Sequence, residues 1–288
     1  MPGRLEGKVA LITGAARGQG RSHAVRLAQE GADIIAVDIC ADIESNLYPL
    51  SRPEDLAETA RQVEALDRRI VTRQADVRER AQLREAVEAG VAELGGLDIV
   101  AANAGIMPMR KGDAADAMDF VDASDVDLLG VMNAVAAAIP HLRDRGSIVV
   151  TGSTAGMLKG AADNPEFGPG GAGYSWAKRT LISYVEQMCL HLAPRFIRVN
   201  AIHPTNVNTH LLHNDELYKV FRPDLEKPEL DDVKPAFVAW QAMPIPWVEP
   251  VDISNLVLFL ASEESRYITG QQIRVDAGSL IKHAAAVG

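Results

Sequence analysis

Tyr174 and Lys178 stand four residues apart in the stretch GYSWAKRT, Gly173 to Thr180. A free phenol, with a pKa near ~10, is a poor base at neutral pH, and an ammonium beside it favours the phenolate and lowers that pKa. Positions i and i+4 of a helix face the same way, so a helix here would make the two side chains neighbours. Such a pair offers proton transfer. A single Tyr-x-x-x-Lys is common by chance, so its meaning depends on the rest of the chain.

A second constellation lies near the N-terminus. TGAARGQG, Thr13 to Gly20, follows the apolar run KVALITG. Gly14 would let the chain turn sharply as it leaves a strand. Gly18 would let backbone approach a pyrophosphate, and Gly20 would let the next helix pack closely on its strand. Amides at that helix N-terminus would then face phosphates. Asp38 ends the next apolar run, DIIAVD, at the distance expected of an acceptor for a ribose hydroxyl. A carboxylate there repels the 2′-phosphate of NADP, so Asp38 favours NAD. Arg17, inside the loop, is the counter-argument, but Ile39 after Asp38 is not a base.

The elements that would position these groups follow from the pattern. Short Val- and Ile-rich runs at 8–14, 33–38, 69–77, 97–105, 146–153, 197–204 and 271–278 read as buried strands. Helix-length segments lie between them at 19–31, 53–66, 79–94, 116–143, 173–194 and 250–262. The alternation predicts an α/β fold, a parallel sheet with helices on both faces. No repeat or linker divides the 288 residues, so one domain over 1–288 is expected. Two segments break the alternation: a lengthened connection at 39–55, and a Pro- and aromatic-rich stretch at 205–247. Long connections at strand carboxyl ends are often lids or substrate loops.

Composition bounds the function. The residues are 47% hydrophobic and 24% charged, with a formal net charge of −10. An acidic surface repels phosphate backbones, which argues against nucleic acid as a partner. Two cysteines, Cys40 and Cys189, make no framework of bridges, and the seven histidines show no ligand spacing, so no metal is expected. The start MPGRLEGKVALITG does not read as a signal peptide, and no apolar stretch approaches the ~20 residues of a membrane span. A cytoplasmic protein is expected.

The motifs taken in order carry a resemblance: TGxxxGxG at 13–20, Asp76 and Val77 after the third strand, ANAG at 102–105 after the fourth, Ser153 after the fifth, and the Tyr174/Lys178 pair. Together they resemble the short-chain dehydrogenase/reductase family in its classical form, over about residues 7–280. The 39–55 segment with YPL, and HPTNVNT at 203–209, further resemble the branch associated with the redox carrier mycofactocin, where carveol dehydrogenase-like enzymes belong. The resemblance implies a three-layer Rossmann sandwich with a seven-stranded parallel sheet and nicotinamide-dependent oxidation of an alcohol or reduction of a ketone. It implies that Gly14, Arg17, Gly18, Gln19 and Gly20 form the cofactor turn and that Asp76 and Val77 meet the adenine. Asn103, Ala104 and Gly105 would then lie along the ribose. Pro204 and Val207 would border the nicotinamide, with Thr209 on its carboxamide side. Ser153 would hold the substrate oxygen while Tyr174, beside Lys178, moves its proton.

Four departures stand out. Asp127, in DVDLLGV, occupies the place where the family carries an asparagine of the proton relay; it adds charge and loses two donors. Thr205 replaces the glycine usual after Pro204, and Ala102 the first Asn of NNAG. KGAADNPEFGPGG separates Ser153 from Tyr174, and its glycines and prolines suggest a loop bulging over the site. Leu211, Leu212, Phe221, Phe237, Trp240, Met243 and Trp247 in the 205–247 segment supply apolar surface for a terpenoid-, steroid- or other alicyclic alcohol, or for packing that segment on the body. The resemblance further implies a homotetramer through helices 116–143 and 173–194, with residues 280–288 reaching a neighbour. It also implies nicotinamide held under the 39–55 segment and recycled by an external carrier. Two rival readings are a nucleotide-sensing protein with little turnover, favoured by Asp127 alone, and an NADP-dependent ketoreductase, opposed by Asp38.

Overall fold

The computed structural model describes residues 3–110 and 112–285. In chain order the elements are β1 (Val9–Thr13), α1 (Gly18–Ala28), β2 (Asp33–Asp38), α2 (Pro53–Glu64), β3 (Ile70–Gln74), α3 (Arg80–Leu94) and β4 (Leu97–Ala102). Then come α4 (Met118–Ser124), α5 (Gly130–Ala138), β5 (Leu142–Thr151), α6 (Gly168–Leu192) and β6 (Arg198–Pro204). The chain continues through α7 (Asp215–Phe221), α8 (Leu230–Trp240), α9 (Pro250–Ala261), β7 (Gln272–Val275) and α10 (Ser279–Ala285).

The seven strands form one parallel sheet in the order β3-β2-β1-β4-β5-β6-β7. Side chains alternate across it with the strand period of two. Val9, Leu11, Ile35 and Val37 join a core with Leu83, Val131 and Leu181 of the helices on one face. Ala10, Ile12, Ile34 and Ala36 join Leu27, Val63 and Val257 on the other. Strand order reverses between β1 and β4, which opens a crevice at their carboxyl ends. A third apolar cluster sits over that end and joins Tyr48 and Met107 to Leu212, Leu217, Val233 and Phe237.

Two segments differ from the sequence expectation. The helix expected over 116–143 is α4 and α5 joined by a π-helical turn, Asp125–Leu129. The turn's extra residue leaves the Asp127 side chain fully buried. The stretch expected to bulge as a loop before Tyr174 is partly regular: Pro165–Phe167 is a 3-10 turn, and α6 already starts at Gly168. Small residues decide this, because a Cβ on Gly170 would lie 2.3 Å from the Pro108 carbonyl oxygen and one on Gly173 2.5 Å from that of Phe120. Of the expected C-terminal contact segment 280–288, residues 286–288 lie outside the described residues. Among the described residues no helix is long and apolar enough to cross a membrane.

Candidate active site

α6 places Tyr174 and Lys178 one turn apart, with Lys178 Nζ 5.5 Å from the centre of the Tyr174 ring. Lys178 Nζ donates to the Thr151 carbonyl at 2.9 Å, which ties α6 to the end of β5. Ser153 follows that strand, and its Oγ accepts from Ala155 N at 3.1 Å to cap the 3-10 turn Thr154–Gly156. Gly156 is required there: a Cβ would lie 2.6 Å from the Lys178 backbone carbon. Behind Ser153, His203 is fully buried, with Nδ1 accepting from Ser153 N at 3.2 Å and Nε2 2.8 Å from Gln272 Oε1. The network therefore puts the ring proton on Nε2. A Cβ on Gly152 would strike that ring at 2.5 Å.

Asp127 reaches the same point from the π turn. Its Oδ1 lies 3.0 Å from Lys178 Nζ, and its Oδ2 accepts from Ile106 N at 3.3 Å. The ion pair is close, but Oδ1 receives no well-directed hydrogen bond, so the attraction is one of charge. Burial raises the Asp127 carboxyl above the ordinary range, and Lys178 only partly offsets this. Burial alone would lower the Lys178 ammonium, but Asp127 and Tyr174 outweigh it, so Lys178 stays charged. For Tyr174 burial is the largest influence and raises the phenol. Lys178 and a hydrogen bond with Ser153 pull it down, and Asp127 pushes it up. The lowering expected from Lys178 is therefore present but outweighed.

One cavity of about 490 Å³ opens beside these groups. Gly14, Arg17, Gly18 and Gln19 line it from the first turn, and Asp38, Asp76 and Val77 from the ends of β2 and β3. Asn103, Ala104 and Gly105 follow β4, and Asp127, Ser153, Tyr174 and Lys178 complete the wall with Pro204, Val207 and Thr209. Gly20 lies behind the wall, where a Cβ would be 1.9 Å from the Gly14 carbonyl oxygen. Gly14 and Gly18 have φ of 67° and 55°, the left-handed region that favours glycine. No side chain caps the N-terminus of α1 and no acid lies in its first turn. These features fit a dinucleotide pyrophosphate at the helix terminus.

Asp38 is nearly buried and accepts from Ala16 N at 2.9 Å, Cys40 N at 3.1 Å and the Ser51 hydroxyl. It thus fixes both the glycine turn and the start of the 39–55 segment. The Arg17 guanidinium donates to the Pro49 carbonyl at 2.6 Å, which joins turn and segment a second time. Tyr48 was not singled out from sequence, although an aromatic residue in a lengthened loop at a strand's carboxyl end was the available signal. Its ring is buried, its Oη accepts from Met107 N at 3.4 Å, and it lines the cavity. Of the apolar residues expected in the 205–247 segment, Leu211, Leu212, Phe221 and Trp240 line the cavity. Phe237 is buried behind them, edge-on to Phe221 at 5.0 Å, and Trp247 packs on His213 at 4.8 Å. Met243 is exposed and outside the cavity lining, because the chain has already left the crevice beyond α8.

A family model described as enoyl-(acyl carrier protein) reductase matches residues 14–279. The (-)-trans-carveol dehydrogenase of Rhodococcus erythropolis is 47% identical over 284 residues, covering 97% of this chain and 99% of the relative. The crystal structure of carveol dehydrogenase from Mycobacterium avium in complex with NAD is 51% identical, with a TM-score of 0.90 over 97% of this chain and 99% of that one. That of a short chain dehydrogenase from Mycobacterium paratuberculosis bound to NAD is 40% identical, with a TM-score of 0.85 over 97% and 100%. Its sheet, its cavity and these matches together place the chain in the short-chain dehydrogenase/reductase family.

Proposed function

We propose that this chain is an NAD-dependent oxidoreductase that interconverts a secondary alcohol, alicyclic or terpenoid-like, and its ketone, with Tyr174 as the acid and base. The observation that carries this reading is the meeting of Ser153, Tyr174 and Lys178 in the cavity that the glycine turn and Asp38 also line. The bound nicotinamide supplies the two-electron acceptor or donor. Ser153 Oγ holds the substrate oxygen by hydrogen bond, and Tyr174 takes its proton in oxidation or returns it in reduction. Lys178, anchored on the Thr151 carbonyl, pulls the phenol down through its charge, against burial and Asp127, which push it up. Leu211, Leu212 and Phe221 make the substrate end apolar, which suits a cyclic hydrocarbon frame more than a sugar. The carveol dehydrogenase relatives support that substrate class.

The 39–55 segment supports a retained nucleotide. It is fixed to the glycine turn through Arg17 and Asp38, and Tyr48 packs in one apolar cluster with Leu212 and Leu217 of the 205–247 segment. In this reading the segments are lids, and reducing equivalents leave through an external carrier such as mycofactocin. A single cytoplasmic domain that assembles as a homotetramer completes it. Met118, Val121, Leu129 and Trp176 expose apolar surface on and beside α4 and α6, where the family forms its helical contacts.

The test uses protein purified without added nucleotide. Denaturation should release NAD, and a panel of cyclic terpenoid and steroid alcohols should reduce it once per site, while Tyr174→Phe should lose this reaction by about 10²-fold or more. Ready multiple turnover with free NAD⁺ would remove the retained-nucleotide reading and leave a conventional dehydrogenase. Absence of nucleotide and of reduction with every alcohol would favour the sensor, for which the charge on Asp127 beside Lys178 is the supporting observation.

A further inference from the structure

The contact between Asp127 and Lys178 changes what the lysine can do for Tyr174. The two charged atoms lie 3.0 Å apart, and their side chains are 3% and 0% exposed, so water screens them little. The other partner of Lys178 is the uncharged Thr151 carbonyl. Asp127 is held in place: Ile106 N donates to Oδ2, and the backbone at Gly105 is so near that a Cβ would fall 2.5 Å from Oδ1. These contacts hold the carboxylate beside the ammonium.

The groups facing the phenol and the ammonium come from several elements. α6 contributes Tyr174 and Lys178 themselves, the π turn Asp127, the end of β5 the Ser153 hydroxyl, β6 His203 and the 39–55 segment Tyr48. Burial keeps His203 neutral by lowering its imidazole, and keeps the Tyr48 hydroxyl protonated by raising it. Lys178 and Asp127, paired at 3.0 Å, are then the opposed charges of this cluster, the ammonium offsetting part of the rise that burial gives the carboxyl. An asparagine at 127 would place an oxygen in the same position and leave the ammonium unopposed.

We propose that Asp127 is a positioning residue that neutralises Lys178 and so keeps the Tyr174 hydroxyl protonated through neutral pH. The chain is then set to give a proton to a ketone at neutral pH and needs alkaline solution to take one from an alcohol. This rests on the reading of Tyr174 as acid and base.

The experiment compares the pH dependence of alcohol oxidation in the full-length chain and in Asp127→Asn, each carrying its nicotinamide. The rising limb should move to lower pH by about one unit or more in the variant, about a tenfold gain in oxidation rate below both limbs. Ketone reduction near neutral pH should not gain. A limb that stays in place, or moves to higher pH, would overturn the proposal. If Asp127→Asn does not fold, the unsubstituted chain still decides the matter. The tyrosinate absorbance of its NADH complex, less that of Tyr174→Phe, should titrate at or above the ordinary phenol value of ~10. A midpoint near ~8 or below would refute the neutralising role. Failure of the underlying reading is separate: it would appear as undiminished activity in Tyr174→Phe.

Discussion

Asp38→Ala removes one carboxylate that serves two ends. Its oxygens accept from Ala16 N, Cys40 N and the Ser51 hydroxyl at a site only 6% exposed. Bonds to a charged acceptor contribute about 1.5 kcal/mol each at the low end, so loss of all three costs roughly 4.5 kcal/mol. At about 2 °C per kcal/mol for a chain of this length, the midpoint of thermal unfolding should fall by roughly 9 °C. The same carboxylate would face a 2′-phosphate across a few ångströms. At about 4 Å and an effective dielectric near ~20 that repulsion reaches about 4 kcal/mol, and half of it is still about thirtyfold in the NAD-to-NADP preference. Asp38→Asn separates the two effects. Its oxygen still accepts from Cys40 N and Ser51 while its amide opposes Ala16 N, so about one third of the stability loss remains and most of the preference goes. The assays are thermal unfolding of the nucleotide-free chain and kcat/KM with each cofactor. A preference that Asp38→Ala leaves unchanged would show that the carboxylate does not act on the ribose, and an unmoved Tm would show that these three bonds do not carry the turn.

Gly156→Ala should lower kcat by about ten- to a hundredfold with nucleotide binding retained, because the new Cβ pushes on the backbone at Lys178 and shifts α6 from Ser153. Single-turnover kinetics read this directly, and an unchanged kcat would mean that the spacing of the two elements is not critical. Acid should weaken the fold through His23, which is fully buried with Nδ1 2.8 Å from Ser254 Oγ and whose imidazole burial pushes down to about 3. The unfolded chain, titrating near ~6.5, binds a proton that the folded chain refuses, so this stability is complete above about pH 6.5. It should drain at up to about 1.4 kcal/mol per unit as pH falls from there towards 3. Denaturant unfolding at stepped pH should show a shallower slope for His23→Gln than for the unsubstituted chain, and equal slopes would exclude His23 as the cause.

The sequence determined the strands and their parallel sheet, and the structure supplied their order. Each of the seven expected strands overlaps an observed one, but only the five inner ones are largely buried: β3 and β7 stand at the sheet's edges, with Val71 the one buried residue of β3 and none buried in β7. The sequence also determined that the glycine turn, Asp38, Ser153, Tyr174 and Lys178 would share a cavity, because parallel strands bring their carboxyl ends to one edge of the sheet. Local spacing was enough where one helix turn or one strand end sets the neighbour.

Only the tertiary structure decided the charge balance. Asp127 is 51 residues from Lys178 in the chain, and a π turn, which no apolar period announces, brings it within 3.0 Å. The same holds for Tyr48, whose loop has no period of its own and is fixed by bonds from Arg17, Asn46 and Ser51. Whether a phenol is raised or lowered depends on the sum of burial and opposed charges, and burial is a property of the packed chain. The sequence therefore brought Tyr174 and Lys178 together on one helix face, and packing determined how strongly the phenol holds its proton.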